Sequence, residues 1–478
     1  MSGTIVWFRR DLRLADNPAL NAALRRGGPV VPVFVRDELV GREWPVGVRA
    51  RAWLEGSLAS LDAALRKRGS RLVILEGDSV GALRRSALST GADAVFWNER
   101  YEPESLARDG SVRAALSEAG IATQTFEGAL LHDPHAVRNR QDRPFQVFTP
   151  FWRHCSSLPI AMPTRPPSQV FPAPQKWPAS RGPAAGAFIS RPSAAGGAWE
   201  PGEAAATRRL RAFVGKSMEA YAESRDFPAI DGTSRLSPHL AFGEITPRQI
   251  RAAIVARSRS SGVFPPDKGA AVFLNEIGWR EFAYHVLVNF PHTPRKPLRV
   301  NFERFAWADD PGGHRWRAWT EGRTGYPIVD AGMRQLLATG WMHNRVRMIT
   351  ASFLVKHLRL PWTRGAEWFW ENLVDADLAN NTLGWQWSAG CGADAAPYFR
   401  IFAPVAQGRK FDGAGKYVRT WVPELAKVPD AFVHCPWTAP AAVLDAAGVR
   451  LGTHYPFPVV EHARARDEAL AAFRSLSR

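Results

Sequence analysis

The 478-residue chain is predicted to form two domains. Residues 1–130 read as an α/β domain built on a doubly wound, Rossmann-like parallel sheet, and residues 202–478 as an all-α domain, with a long Pro-rich connector over 131–201. Three observations carry this prediction. Short apolar runs alternate with amphipathic segments near the N-terminus, ten prolines fall between 156 and 201, and helix-start signals dominate from residue 202 onward.

The runs TIVWF (4–8), VVPVFV (30–35), RLVIL (71–75) and AVFWN (94–98) are rich in β-branched and aromatic residues, as buried parallel strands are. Between the first two, DNPALNAALRR offers Asp16 or Asn17 as an N-cap, with Pro18 at the first helical position. Residues 49–68 place Trp53, Leu54, Leu58, Leu61 and Leu65 on one stripe. The stretch 156–201 has no periodicity and reads as a connector laid over a surface. Beyond it, Ser237-Pro238 and Thr246-Pro247 read as cap pairs, and 270–290 and 341–358 as long amphipathic helices. Twelve of the nineteen tryptophans fall in the last 200 residues, so any aromatic chemistry belongs to the helical domain.

Composition narrows the function. A formal charge of +17 favours a polyanionic partner. An arginine-rich proteome would raise the charge in the same way. Three scattered cysteines make no disulfide framework and no C-x-x-C pair. No H-E-x-x-H or paired Cys/His spacing points to a metal. No secretory h-region or membrane-length apolar run is present, so a cytoplasmic protein is expected. GDSVG (77–81) fits a nucleophile elbow, but no oxyanion glycine run precedes Ser79. VGKS (214–217) resembles a P-loop tail but has Leu210 where a glycine is required. An ordinary strand-to-helix turn explains the first, and the second fails.

Three segments of the helical domain carry chemistry. NEIGWREF (275–282) sets Glu276, Trp279 and Arg280 on one helical face, where a carboxylate and an indole could hold and stack a base. A plain Glu276–Arg280 ion pair on an amphipathic helix fits the same spacing. WMHNRVRMITASFLVKHL (341–358) groups Asn344, Arg347 and Met348 opposite Val346, Ile349 and Phe353. GTSRLSPHL (232–240) leads the hydroxyls of Thr233, Ser234 and Ser237 into a helix start, an anion cradle suited to a pyrophosphate.

With VWFRRDLRLADNPAL, EGRTGYPIVDAGMRQL, DADLANNTLGWQW and DAAPYFRIF, these segments resemble the photolyase/cryptochrome flavoproteins over nearly the whole chain. Within that family the match is nearest to class I cyclobutane pyrimidine dimer photolyases. The resemblance implies FAD folded in the helical domain and held by Tyr221, the loop Thr233, Ser234, Arg235, Leu236 and Ser237, and by Phe273, Arg280, Arg347, Asp375, Ala376, Asp377 and Asn381. Asn381 corresponds to the residue facing flavin N5, where photolyases carry Asn. Trp385, Trp362 and Trp307 correspond to an electron relay from the surface to the flavin. Glu276, Trp279, Asn344, Met348 and Trp387 correspond to the lesion pocket, and Arg225, Arg345 and Arg400 to contacts at the DNA backbone.

The implied activity is light-driven repair. Excited FADH⁻ passes an electron to a flipped-out dimer in UV-damaged DNA, the ring splits, and the electron returns. A monomer that binds DNA without sequence preference is expected. The resemblance also implies an antenna, methenyltetrahydrofolate or 8-hydroxy-deazaflavin, with folate favoured and an empty pocket left open. Asn98, Glu99 and Glu102 lie where antenna contacts are expected, while 42–56 matches neither pattern. Ala403 departs from the Asn of many relatives. The alternatives are a (6-4) photoproduct photolyase, which places two histidines where this chain reads His343-Asn344, and a cryptochrome photoreceptor, which often carries a C-terminal extension.

Overall fold

A computed structural model describes residues 2–37, 43–183, 199–260, 267–395 and 399–477. Part of the connector (184–198) and of DAAPYFRIF (396–398) lies outside the described residues.

The N-terminal strands are β1 (Gly3–Phe8), β2 (Val30–Arg36), β3 (Val73–Glu76), β4 (Ala92–Asn98) and β5 (Ala122–Phe126). They form one parallel sheet in the order β3-β2-β1-β4-β5. Helices α1 (Pro18–Arg26), α2 (Val48–Arg66), α3 (Ser79–Thr90) and α4 (Pro103–Glu118) make the crossovers. β1 is buried throughout, with one hydrophobic cluster on each face of the sheet, which is why its sequence is a continuous apolar run. The sequence reading missed β5. ATQTF is an edge strand, half exposed and polar, so it lacks the apolar run that marked its neighbours.

Most of the local signals hold. Asn17 caps α1, accepting from the Leu20 N–H at 3.1 Å. Asp16 has φ of +50° and turns to the helical domain, accepting from Thr246 Oγ1 at 2.7 Å and Arg248 Nε at 3.0 Å. The α2 stripe is buried as expected. Ser79 is the buried first residue of α3 behind the Asp78 cap, and its hydroxyl donates to Asp37; it is a helix-start residue, not an exposed nucleophile.

The stretch expected as connector contains a helix, Phe148–Ser157. Its later part, to residue 183, hydrogen-bonds along the sheet, with the Val30 N–H donating to Pro172 O at 2.8 Å and the Ile74 N–H to Ser180 Oγ at 2.8 Å.

In the helical domain, 270–290 becomes the helix Lys268–Asn289, capped by Asp267. Two expectations change. Ser237 is the first helical residue of Ser237–Ala241 and makes no cap bond; its Oγ instead receives Trp341 Nε1 at 3.4 Å. The expected 341–358 helix is broken. Residues 341–343 are irregular, an α-helix runs from Asn344 to Ser352, and a π-helical turn covers Phe353–His357. His343 causes the late start, because its ring nitrogen accepts the Arg345 N–H at 3.2 Å and caps the helix there.

A fully buried carboxylate joins the domains. Glu244 collects the Trp53 indole N–H at 3.1 Å, the Gly202 N–H at 2.7 Å, the Ser57 hydroxyl and the His239 ring. Among the described residues, no helix is long and apolar enough to cross a membrane, and no group of three or more His, Cys, Asp or Glu could hold a metal ion.

Candidate functional site

Two helices that pack against each other, Lys268–Asn289 and Leu378–Ala389, form the walls. Asp377 caps the second through the Asn380 N–H at 2.9 Å and ties it to the first by accepting from Tyr284 OH at 2.5 Å. Tight glycines let tryptophans pack where each wall meets a neighbouring helix. A Cβ on Gly365 would lie 2.1 Å from the Trp385 ring, and one on Gly278 would lie 2.5 Å from Trp152.

Two separate sets of ion pairs hold the polar residues. Arg347 donates to Asp375 Oδ2 at 2.8 Å and to Met342 O at 2.7 Å. Two residues earlier on that helix Arg345 pairs with Asp226 at 2.7 Å, and the adjacent Arg225 pairs with Glu276. Glu276 is therefore held by Arg225 rather than by Arg280. Arg280 is buried the other way, donating to Ala129 O at 3.0 Å with its guanidinium 4.8 Å from the Tyr284 ring centre. Trp279, Arg345, Met348 and Trp387 are half buried, and Asn344 and Arg400 are exposed. Trp279 and Trp387 stand on different helices.

Tyr221 packs edge-on to Phe273, 5.2 Å between centres. In the hydroxyl loop, Thr233 and Ser234 are half buried, Ser237 is exposed, and Arg235 and Leu236 are buried. Arg235 has φ of +49°, a conformation a non-glycine residue holds only when its surroundings impose it. Asn381 donates to Ala366 O at 2.9 Å. Asp375 supplies the test of fit for a bound group. Its side chain is 1 % exposed, yet Oδ1 has no hydrogen-bond partner among the described residues. A buried carboxylate oxygen left open beside a guanidinium suits a ligand offering N–H or O–H donors, as FAD does.

Burial pushes the His343 imidazole down to about 4, so it stays neutral; its Nδ1 is used and its Nε2 has no partner among the described residues. Burial likewise raises Glu281 to about 7, against the pull of Arg280 and two backbone N–H groups.

The three tryptophans expected as a relay share one core, and further rings stand beside Trp385. Trp385 is 2 % exposed, and its ring neighbours are Phe369 at 4.9 Å and Trp319 at 6.1 Å. Trp319 continues to Trp316 at 5.5 Å, and Trp316 to Trp368 at 6.0 Å. Trp362 and Trp307 belong to the same core as Trp385, and Trp307 lies 4.6 Å from Phe305. The sequence reading passed over Trp316 and Trp319. Their i, i+3 spacing in HRWRAWT was the available signal.

Two clefts lie where the domains meet. One brings Asn98, Glu99 and Glu102 at the strand ends together with Arg280, Ala376 and Asp377. Burial opposes ionisation of Glu102, but Arg100 outweighs it and holds the carboxyl down at about 2. The other, about 260 Å³, is lined by Trp44, Trp370, Arg295, Lys296, Glu102 and Arg108. In it Trp44 and Trp370 meet edge to face at 5.5 Å, and Arg295 lies 4.5 Å from the Trp44 ring centre.

Residues 4–173 match the family described as DNA photolyase, and residues 273–475 the FAD binding domain of DNA photolyase. The chain belongs to the photolyase/cryptochrome family. It is 46 % identical to the deoxyribodipyrimidine photo-lyase of Agrobacterium fabrum, covering 99 % of this chain and 98 % of that one. It is 40 % identical to cryptochrome-1 of Arabidopsis thaliana, covering 98 % of this chain and 70 % of the relative. Among solved structures it is similar to a bacterial class III photolyase from Agrobacterium tumefaciens, with TM-score 0.92 and 45 % identity over 100 % of this chain and 98 % of that one. The fold class read from the sequence, an α/β domain followed by a helical FAD-binding domain, is the fold observed.

Proposed function

We propose that the protein is a deoxyribodipyrimidine photolyase that repairs cyclobutane pyrimidine dimers in UV-damaged DNA under blue or near-UV light. The observation that carries this reading is the half-satisfied Asp375 carboxylate on Arg347, together with the separate ion-paired set that ends on Glu276 beside the half-buried indole of Trp279. The near-complete coverage at 46 % identity by a protein of that name supports it. The finer assignment is class III rather than the class I expected from the motifs, supported by the likeness to the class III photolyase.

FAD, when bound and reduced, supplies the light-driven electron that opens the cyclobutane ring. The chain's own residues bind, orient and desolvate. Asp375, Arg347, Asn381, Tyr221, Phe273 and the loop Thr233–Ser237 hold the cofactor, with Ala376, Asp377 and Arg280 behind them. Glu276 turns from Arg225 to the dimer and accepts its hydrogen bond in a partly desolvated site, where such a bond is stronger than in water. Trp279 and Trp387 offer flat faces to a lesion that is already poorly stacked, and Asn344 and Met348 complete the pocket. Arg225, Arg345 and Arg400 meet the backbone without reading sequence. Trp385, Trp362 and Trp307 carry electrons inward, with Trp319 and Trp316 as a second set of rings next to Trp385. The cleft lined by Trp44 and Trp370 takes the antenna, its paired indoles suiting the flat ring of either folate or deazaflavin, with folate kept as the expectation.

The test is repair of a thymine-dimer oligonucleotide by the photoreduced protein, with a dark control and a (6-4) substrate alongside. Thymine absorbance returning only with the dimer and only in light is the expected outcome. Flavin that photoreduces while neither lesion is repaired would move the protein to the photoreceptor reading.

A further inference from the structure

We propose that Phe148 is a positioning residue for Trp279. It occupies one face of the indole, fixes the ring plane before substrate arrives, and leaves the opposite face as the surface available for stacking. This rests on the reading of Trp279 as a ring that stacks on the lesion.

Phe148 opens the helix Phe148–Ser157, the element inside the stretch read as connector. Its ring lies 3.9 Å from Trp279, centre to centre, at an interplanar angle of 9°, a close parallel stack. Trp152, one turn on, is parallel to Phe148 at 6.5 Å and 11°. It is held by donating to Asn275 Oδ1 at 2.9 Å and by packing against Gly278, where a Cβ would approach to 2.5 Å. Phe282 closes the edge, 6.0 Å from Phe148 and 5.9 Å from Trp279.

The backbone of Phe148 is held from the other wall. Asp394, in the segment after the helix that carries Trp387, donates its N–H to Gln146 O at 2.8 Å and accepts the Phe148 N–H on Oδ1 at 3.3 Å. Asp394 sits at φ of +51°, a conformation that costs energy in a non-glycine residue and persists because both bonds hold it there. One short segment thus ties Phe148, and through it the Trp279 plane, to the wall bearing Trp387. An indole on a half-buried helix face that was free to turn would lose rotamer freedom on binding, and a pre-set ring avoids that loss. Base stacking is sensitive to ring orientation, so the effect falls on lesion affinity and leaves the flavin alone.

The experiment measures binding of a single-stranded thymine-dimer oligonucleotide to the flavin-loaded protein in the dark, for Phe148→Leu, Phe148→Tyr, Trp279→Ala and the double variant Phe148→Leu/Trp279→Ala. Flavin content and photoreduction rate are followed in each. Phe148→Leu is expected to weaken dimer binding about 3–10-fold with flavin content and photoreduction unchanged, the scale of an immobilisation loss at one side chain. Phe148→Tyr restores binding, and the Phe148→Leu effect disappears in the Trp279→Ala background. Phe148→Leu binding like the parent while Trp279→Ala binds weakly, or its effect persisting in full in the Trp279→Ala background, overturns the proposal alone. Trp279→Ala binding like the parent overturns the proposal together with the reading of Trp279.

Discussion

The ends of the sheet and the candidate site around Asp375 both bury carboxylates, and they treat them differently. At the strand ends, Asp109 takes Arg9 on both oxygens, at 2.6 and 2.7 Å, and also the Trp97 indole N–H at 3.1 Å. Asp11 receives the Arg9 N–H on one oxygen and Asn98 Nδ2 on the other, each at 2.6 Å. In the helical domain Asp375 uses one oxygen on Arg347, and among the described residues neither its other oxygen nor His343 Nε2 has a partner. Carboxylates whose oxygens are all filled from within the chain hold a fold; a buried carboxylate oxygen left without a partner is arranged for something that arrives later.

Removing Asp109 takes away the most heavily used of these filled carboxylates. Asp109→Ala leaves the Arg9 guanidinium buried without its partner and should cost about 3–5 kcal/mol of stability, measured by denaturant unfolding, with repair per bound flavin unchanged. A loss of repair with normal stability would erase the contrast between the two regions.

Glu276→Ala tests the open side. Losing one charge-assisted bond to the dimer, worth about 1.5–3 kcal/mol, should slow repair about 10–100-fold while flavin is retained. Flavin lost with per-flavin repair intact would instead make Glu276 part of the cofactor cradle.

Acid should act on the open side too. His343 is held at about 4 against 6.5 unfolded. As pH falls, the unfolded chain therefore takes up the proton first. The stability it contributes is complete above about pH 6.5 and is lost between 6.5 and 4, on the order of 1–3 kcal/mol. Unfolding measured across that window should fall less steeply for His343→Gln; an unchanged slope would assign the acid sensitivity to other buried histidines.

The smallest effect concerns the rings around Trp385. Trp319→Phe should lower the rate of flavin photoreduction only in part, whereas Trp385→Phe removes most of it. Transient absorption that shows equal losses would make Trp319 obligatory rather than auxiliary.

Much of this was legible in the sequence where the signal is local. Four strands stood out because buried parallel strands are continuous apolar runs, and the Asn17 cap and the α2 stripe followed from side-chain chemistry and helical periodicity. β5 did not stand out, because an edge strand half open to water carries no such run. The broken helix at 341–343 was hidden because amphipathic spacing continues through it, and only the His343 ring bond sets the start at Asn344.

By itself the sequence determined the class of fold, the long motifs that mark the family, and the kinds of side chain available for the site, since all of these depend on residue type and spacing along one chain. Only the tertiary structure decided who meets whom. Glu276 pairs with Arg225, 51 residues away, and not with Arg280 one turn on, because Arg280 is buried toward Ala129. Trp385 faces Trp319 because Gly365 gives up the space for its ring. Phe148 reaches Trp279 from a stretch whose sequence reads as connector. Helical spacing fixes neighbours within a turn; contacts between elements depend on how whole faces pack, which no local pattern encodes.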